Sequence, residues 1–219
     1  MSDGILIIVM SSLKFPWRSQ AINATWNRDS QTYITFTESN RSYYEASGND
    51  HFEYLEKIDT TSQWIVLVDD DTYMNIPNLK KFINKLDPKK EMLIGHVLTP
   101  FNCLWGGAGM ILSRPAYLKV KEGMRRHIKK DKRRRNDVIM FRYAEQLNIP
   151  IFHTNLLWGN SIPEASNFVN QMKNKYSSFE SAISGTISLH KMCPDHTCKL
   201  MYDAHAMVSK KKFNYDVLI

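Results

Sequence analysis

The sequence has little that would build a disulfide-rich or a membrane-spanning protein. Only three of its 219 residues are cysteine, too few to hold a fold together by cross-links. No run approaches the roughly 20 consecutive apolar residues of a transmembrane helix. The content of 43% hydrophobic and 23% charged residues is typical of a globular protein with one sizeable core, in a chain too short for two comfortable domains. We therefore expect a single domain that spans residues 1–219.

The N-terminal segment lacks the marks of a secretion signal. It reads MSDGILIIVMSS, with an acidic start and a short apolar run, and so predicts a first β-strand. The protein is then either cytosolic or has lost targeting residues upstream. Sequons at Asn23 and Asn40 are compatible with secretion, and Cys193 and Cys198 are close enough to bridge in an oxidising compartment.

Positive charge is concentrated in one segment. Residues 125–135 (RRHIKKDKRRR) contain eight Lys or Arg and one Asp, and their net charge of +7 equals that of the whole chain. No aromatic residues or recognised reader motif accompany the segment, so we expect no nucleic-acid partner. The favoured interpretation is a solvated face that attracts an acidic partner or an anionic membrane surface.

One stretch combines a buried strand with three consecutive carboxylates. Residues 65–68 are an unbroken, mostly β-branched apolar run, which is typical of a strand buried on both faces of a sheet. Asp69, Asp70 and Asp71 follow directly, and a helix with Asn75 as its N-cap is predicted beyond them. Ligands of open α/β sheets bind beyond the carboxyl ends of strands. This junction is therefore the first candidate for a functional site.

The three aspartates predict a divalent cation. Successive side chains of an extended segment point to opposite faces, so Asp69 and Asp71 share a side and Asp70 points away. Like charges at a buried strand end repel one another unless a cation neutralises them. Oxygen ligands of this kind favour Mn²⁺ or Mg²⁺. The alternative is a solvated acidic turn that binds no ligand.

Predicted strands and helices alternate along the chain. The strands are expected at residues 5–9, 32–37, 65–68 and 92–97, and the helices at residues 18–26, at residues 51–57 and around Leu79. This order predicts an α/β fold with a mostly parallel central sheet flanked by helices.

Three later segments carry further candidate residues. In the run WGGAG from Trp105, glycines let the backbone approach a ligand closely, as at the floor of a sugar pocket, and the alternative is a tightly packed bulged strand. Asp137 precedes an amphipathic helix and is suited to capping that helix or to acting as a base. His190 ends a short strand predicted at residues 186–190; imidazole is a good ligand for transition metals, but a lone histidine is more often structural.

Taken together and in order, these motifs resemble those of the fringe and β1,3-galactosyltransferase family of glycosyltransferases. Arg18 with Thr25-Trp26 resembles the R…TW element of the family, and FTES at residues 36–39 resembles its FTD. WIVLVDDDTYMNIPNL resembles its DDD strand and helix, and WGGAGMILS its GGAG segment. Three later segments also match. NDV at residues 136–138 resembles the EDV element of the family, FH at residues 152–153 resembles its FHS, and SLHKMCPDHTC resembles the end of fringe itself.

The resemblance implies a GT-A fold and an inverting, Mn²⁺-dependent transfer of a sugar from a UDP-sugar to a 3-hydroxyl of an acceptor glycan or glycoprotein. The metal would be held by Asp69, Asp71 and His190, and Asp137 would be the base. The expected substrate-binding residues are Arg18, Thr37, Glu38, Asp70, Trp105, Gly106 and Gly107.

The C-terminal similarity favours fringe, and hence transfer from UDP-GlcNAc to O-linked fucose. The alternative within the family is a β1,3-galactosyltransferase that uses UDP-Gal. The expected location is the Golgi lumen or the secretory pathway if an upstream signal anchor was removed, and the cytoplasm otherwise.

The sequence departs from the family pattern at four points, one of which is a short loop after the second strand. Asn136 replaces an acidic neighbour of Asp137, Glu38 stands where fringe has Asp, and the basic run at residues 125–135 has no counterpart. Two other classes remain open: a metal-dependent nuclease or phosphotransferase, and a catalytically degenerate sugar-binding module. Intact Asp71, Asp137 and His190 argue against the degenerate module.

Overall fold

A six-stranded sheet forms the centre of the protein. The computed structural model describes residues 4–27, 33–39, 55–98, 103–127, 136–158, 183–193 and 195–210. The strands of the sheet are β1 (Ile5–Ser12), β2 (Tyr33–Ser39), β3 (Trp64–Asp69), β5 (Leu93–Gly95), β8 (Met110–Ser113) and β9 (Ile151–His153), in the order β2-β1-β3-β8-β5-β9. Only β8 runs antiparallel to its neighbours. The expectation of a mostly parallel sheet in an α/β fold is confirmed.

Helices cover both faces of this sheet. One face packs against α1 (Pro16–Ala24), α2 (Ile76–Ile83) and α5 (Lys199–Lys210), and the other against α3 (Arg114–His127) and α4 (Asn136–Gln146). Neighbouring residues of β1 alternate between the two apolar clusters and are fully or almost fully buried. This is why the strands read as continuous apolar runs rather than as alternating ones.

Two small sheets lie beside the central one. The first joins β10 (Leu157–Trp158), β11 (Ser188–Leu189) and β4 (Tyr73–Met74), and the second pairs β6 (Val97–Leu98) with β7 (Cys103–Leu104). Because β4 directly follows the three aspartates, the first small sheet brings the 183–190 segment to the end of β3. Within the described residues, no helix is both long and apolar enough to cross a membrane.

Several element boundaries differ from the predicted ones. Helix α1 begins at Pro16 and ends at Ala24 instead of spanning residues 18–26, because the fixed φ of proline suits a first helical turn. The strand predicted at residues 92–97 is interrupted at His96, where β5 ends and the chain turns to pair as β6. Strand β11 is shorter than predicted. Of the helix predicted at residues 51–57, only residues 55–57 lie within the described part, and they are helical.

Candidate active site

The three aspartates lie where β3 ends, beside the end of β1. The backbone N–H of Asp70 donates to the carbonyl of Met10 (3.2 Å), which ties the two strand ends together. Asp69 and Asp70 are buried, so the solvated acidic turn considered as an alternative is wrong. As expected for an extended segment, Asp69 and Asp71 share one side and Asp70 points to the other.

Asp69, Asp71 and His190 converge on one point. One ligand atom from each lies within 4.8 Å of the other two. Nε2 of His190 is 3.1 Å from Oδ1 of Asp71 and 3.7 Å from Oδ2 of Asp69. The three side chains are only 5% to 14% exposed, so water screens their charges weakly. A nitrogen that faces two buried carboxylate oxygens favours a positive charge, either on the imidazole or on a cation held between the three groups.

The ionisation of the cluster follows from these contacts. Burial by itself would lower the pKa of His190, but the carboxylates of Asp71 and Asp69 outweigh it and raise that pKa above its usual value. Burial would likewise raise the pKa of Asp71, but His190 and Arg18 outweigh it and lower that pKa. The cluster thus stabilises a cation strongly.

The donor set fits a divalent metal. Oδ1 of Asp71 is buried, and its 3.1 Å contact with Nε2 of His190 is an ion-pair contact whose angles do not make a well-formed hydrogen bond, so this oxygen retains the capacity to bind a cation. Two carboxylates and one imidazole form a mixed oxygen and nitrogen donor set, which suits a divalent metal. Asp69, Asp71 and His190 are therefore the residues that would hold the metal.

Backbone pairing places His190 although it is more than a hundred residues from the aspartates in sequence. The N–H of His190 donates to the carbonyl of Trp158 (3.1 Å), and the N–H of Met192 donates to the carbonyl of Asp71 (2.7 Å). The side chain of Asn75 caps α2 as predicted and also donates to the carbonyl of Ile183 (2.9 Å). The helix that follows the aspartates and the segment that carries His190 are thus fastened to each other.

Arg18 pairs with Asp70 and also contacts Asp71. One guanidinium nitrogen of Arg18 lies 2.9 Å from Oδ1 of Asp70 and 3.6 Å from Oδ2 of Asp71, and the guanidinium stacks on the Phe15 ring at 4.6 Å. The other oxygen of Asp70 accepts from the N–H of Ser12 (3.2 Å). Burial raises the pKa of Asp70 to about 6, even though Arg18 lowers it. Both expected substrate-binding residues therefore lie beside the metal ligands and already pair with each other.

The glycine-rich segment separates the metal ligands from Asp137. Gly106–Ala108 is a 3₁₀ turn. A Cβ added at Gly107 would overlap the His190 ring, and one added at Gly106 would lie 2.8 Å from Cβ of Asp137. The N–H of Gly106 points at Oδ2 of Asp137 at 3.4 Å. The glycines are needed because the backbone closely contacts these two side chains, a reason that the sequence interpretation of a sugar-pocket floor did not include.

Asp137 is the second residue of α4 and lies inside its first turn, whereas the capping interpretation placed it just before the helix. Its Oδ1 accepts from the N–H of Val138 (2.8 Å), and its side chain faces Gly106. The side chains of His190 and Asp137 therefore contact adjacent glycines, whose Cα atoms are about 3.8 Å apart. This juxtaposition of a cation site and a carboxylate is what an enzyme that both stabilises a leaving phosphate and activates a hydroxyl requires.

A family model described as Fringe-like matches residues 17–198. The chain belongs to the Fringe-like family. This confirms the resemblance given by the sequence motifs.

Solved structures of glycosyltransferases are similar in fold to this Fringe-like chain. A glycosyltransferase involved in the glycosylation of the major capsid of PBCV-1 is 12% identical with a TM-score of 0.52, over 90% of this chain and 98% of that one. The apo form of the glycosyltransferase GlyE of Streptococcus pneumoniae TIGR4 is 8% identical with a TM-score of 0.53, over 94% and 62% of the two chains. At such identities the likeness shows the fold alone, a GT-A fold. Family and fold together make the Fringe-like chain a glycosyltransferase.

The remaining predicted residues of the Fringe-like chain are placed as follows. Thr37 and Glu38 pair in register with Met10 and Ser11 of β1, so their backbone lies at the same sheet edge as the aspartates. Trp105 is half-buried next to Gly106. Of the basic run at residues 125–135, residues 125–127 end α3 and residues 128–135 lie outside the described residues. Cys193 and Cys198 are joined by a disulfide just after His190.

Sequence reasoning missed the residues that hold the glycine-rich segment of the Fringe-like chain in place. The hydroxyl of Thr72 donates to the carbonyl of Gly107 (2.7 Å), and that of Ser188 donates to the carbonyl of Ala108. The buried Trp26 donates its indole N–H to the carbonyl of Thr72 (3.1 Å). The only sequence signal was position: Thr72 follows the three aspartates, and Trp26 belongs to the TW element.

Proposed function

We propose that the protein is an inverting, Mn²⁺-dependent glycosyltransferase that moves a sugar from a UDP-sugar to a 3-hydroxyl of an acceptor glycan or glycoprotein. The transfer closest to its motifs is that of fringe, from UDP-GlcNAc to O-linked fucose, and UDP-Gal is the alternative donor. The observation that supports the proposal most is the contact of His190 and Asp137 with the adjacent glycines 107 and 106.

Each part of this arrangement has a chemical task. Departure of UDP builds negative charge on a phosphate oxygen, and a bound metal supplies the Lewis acid that stabilises it. Asp69, Asp71 and His190 provide the ligands for that metal. Because the bound metal would supply positive charge to the leaving group, no acid is needed there and one carboxylate suffices as the base.

Asp137 is the residue assigned to that base. Its Oδ2 is held by the N–H of Gly106, which fixes the carboxylate without neutralising it. In this position Asp137 takes the proton of the acceptor hydroxyl as the oxygen attacks the anomeric carbon from the side opposite UDP. Arg18, paired with Asp70 and Asp71, adds a second positive group beside the metal ligands and is assigned to the donor diphosphate.

A screen of UDP-sugars for hydrolysis and transfer, with and without Mn²⁺, tests the proposal. We expect one UDP-sugar to be cleaved only when Mn²⁺ is present. In Asp71→Asn, the affinity for UDP with Mn²⁺ should fall by at least about tenfold, as changes around metal ligands do. Asp203→Asn, on the exposed face of α5, is the matched control and should behave as the wild type. Cleavage of equal rate after removal of metal would contradict the metal role, and cleavage of nucleic acid instead would overturn the assignment.

We also propose that the protein works in the Golgi lumen or elsewhere in the secretory pathway. The disulfide between Cys193 and Cys198 supports this, because such bonds persist in oxidising compartments and are rare in the cytosol. Localisation of the tagged natural protein in its own cells is the direct measurement. A cytosolic signal together with free thiols at both cysteines would contradict the proposal.

A further inference from the structure

Three aromatic rings lie together at the carboxyl ends of β5 and β9. His96 directly follows β5 and His153 ends β9. Their rings meet edge to face at 5.2 Å, and the His96 ring meets that of Trp105 in the same way at 5.9 Å. We call His96, Trp105 and His153 the aromatic cluster. Because β1, β3, β5 and β9 run parallel, the cluster lies at the same sheet edge as the aspartates. Neither the metal site nor the base uses it.

The glycine-rich segment fixes the order of groups along that edge. Strand β8 separates β3 from β5 in the sheet, and residues 105–109 lead into β8. Along this segment Gly107 contacts His190, Gly106 contacts Asp137, and Trp105 contacts His96. Three successive residues at this turn thus contact the cation site, Asp137 and the aromatic cluster.

The chemistry of inversion assigns a place to the acceptor. The attacking hydroxyl approaches the anomeric carbon from the side opposite the departing UDP, and the base contacts that hydroxyl. If UDP lies at Asp69, Asp71 and His190, the acceptor hydroxyl lies at Asp137. Trp105 directly precedes Gly106, which contacts Asp137, so the aromatic cluster adjoins the place of that hydroxyl.

Hydrogen bonds hold all three members of the aromatic cluster. The N–H of Trp105 donates to the carbonyl of His96 (2.8 Å). Nδ1 of His96 lies 3.2 Å from the carbonyl of Leu157, so that nitrogen carries a hydrogen. Nδ1 of His153 accepts from the N–H of Val97 (3.1 Å).

We propose that the aromatic cluster is the acceptor subsite, and that it binds a neutral pyranose with the Trp105 ring against the C–H face of the sugar. This inference rests on the proposed function. Flat aromatic rings bury apolar surface at little conformational cost, and a neutral sugar has one face of C–H groups that suits them. The carboxylate of Asp137, which contacts the neighbouring Gly106, disfavours an acidic sugar at this position because like charges repel.

Kinetics of transfer to a panel of p-nitrophenyl glycosides, namely α-fucoside, β-galactoside and β-glucuronide, test the subsite. We expect a neutral glycoside to be the better acceptor. In Trp105→Leu, the kcat/KM for that acceptor should fall about tenfold more than the kcat/KM for hydrolysis of the UDP-sugar, mainly through the acceptor KM. Trp105→Phe keeps a flat ring and should recover part of the loss.

Two further variants separate ring contact from general disruption. Phe152→Leu is the control, because Phe152 precedes His153 on the same strand, is 50% exposed and points to the opposite face; it should leave acceptor kinetics unchanged. His96→Leu should lower the acceptor kcat/KM through the same contact as Trp105→Leu. The double variant should therefore show a smaller fold-loss in acceptor kcat/KM than the product of the two single fold-losses. Thermal unfolding of each variant shows that the comparison is made on folded protein.

The outcomes distinguish the subsite from the proposed function. Equal losses in acceptor transfer and donor hydrolysis in Trp105→Leu would overturn the subsite, as would preference for the glucuronide. Donor hydrolysis by the wild type without transfer to any neutral glycoside of the panel would also overturn it. Absence of UDP-sugar cleavage by the wild type would instead refute the proposed function, before any variant is made.

Discussion

Gly107→Ala is the substitution for which the structure makes the sharpest prediction. A methyl group at residue 107 would lie 2.7 Å from Cδ2 of His190 and closer still to Cε1 and Nε2. Carbon atoms in contact are normally about 3.5 to 4.0 Å apart, so the imidazole or the turn must move by about 1 Å. The turn is held by Thr72 and Ser188, and the ring is the freer of the two.

Movement of the ring by this amount removes His190 as a metal ligand, because metal–ligand distances vary by only about 0.2 Å. We expect the affinity for Mn²⁺ in the presence of UDP to fall about 10- to 100-fold, measured by calorimetric titration. Gly106→Ala is the matched control. Its methyl group would contact Asp137 at 2.8 Å and not His190, so that variant should keep its Mn²⁺ affinity and lose transfer.

Two outcomes for the alanine variants would contradict the assignment of Gly107 to the metal side and Gly106 to the base side. If Gly107→Ala binds Mn²⁺ as tightly as the wild type while both variants remain folded, then His190 is not a ligand. If both variants lose Mn²⁺ equally, the segment is a packing element whose disturbance spreads, and the division between a metal side and a base side is wrong. Circular dichroism and thermal unfolding are measured in parallel.

Three further predictions follow from the same contacts. Asp137→Asn should lower kcat for transfer by a factor of about 10² to 10⁴ and leave the affinity for the donor nearly unchanged, because a base acts in the transition state. If a stopped assay shows normal turnover in this variant, Asp137 has only a structural role at the start of α4. The pKa of Asp70 is about 6 in the folded protein, against an ordinary value of 3.8. The metal-free protein should therefore lose up to about 3 kcal/mol of unfolding free energy as the pH rises from about 4 to above 6. Asp70→Asn should remove this dependence in urea titrations, and an unaltered pH profile in that variant would contradict the prediction. Replacing Cys193 and Cys198 by serine should cost about 2 kcal/mol of stability, and an unchanged unfolding midpoint after reduction of the wild type would argue that the disulfide does not form in solution.

The sequence by itself determined the parts of this protein that depend on neighbours in the chain. The apolar run of β3, the alternate orientation of Asp69 and Asp70, and the cap at Asn75 follow from local sterics and hydrogen bonding, and the structure confirms them. The order of strands and helices likewise predicted the α/β class, since a continuous apolar strand needs cover on both faces. The motif resemblance supplied the family, which the comparison with the Fringe-like model confirms.

Only the tertiary structure decided which distant residues meet. His190 reaches Asp71 through pairing of β11 with β4, and Asp137 reaches Gly106 across α4 and the glycine-rich turn. The sequence contained both residues but not these contacts, because strand pairing over a hundred residues is set by the packing of the whole sheet and not by local propensity. The break at His96 also depends on pairing that local propensity does not predict. The carbonyl of His96 accepts from the N–H of Trp105, next to the pairing of β6 with β7, and this places the aromatic cluster beside the base.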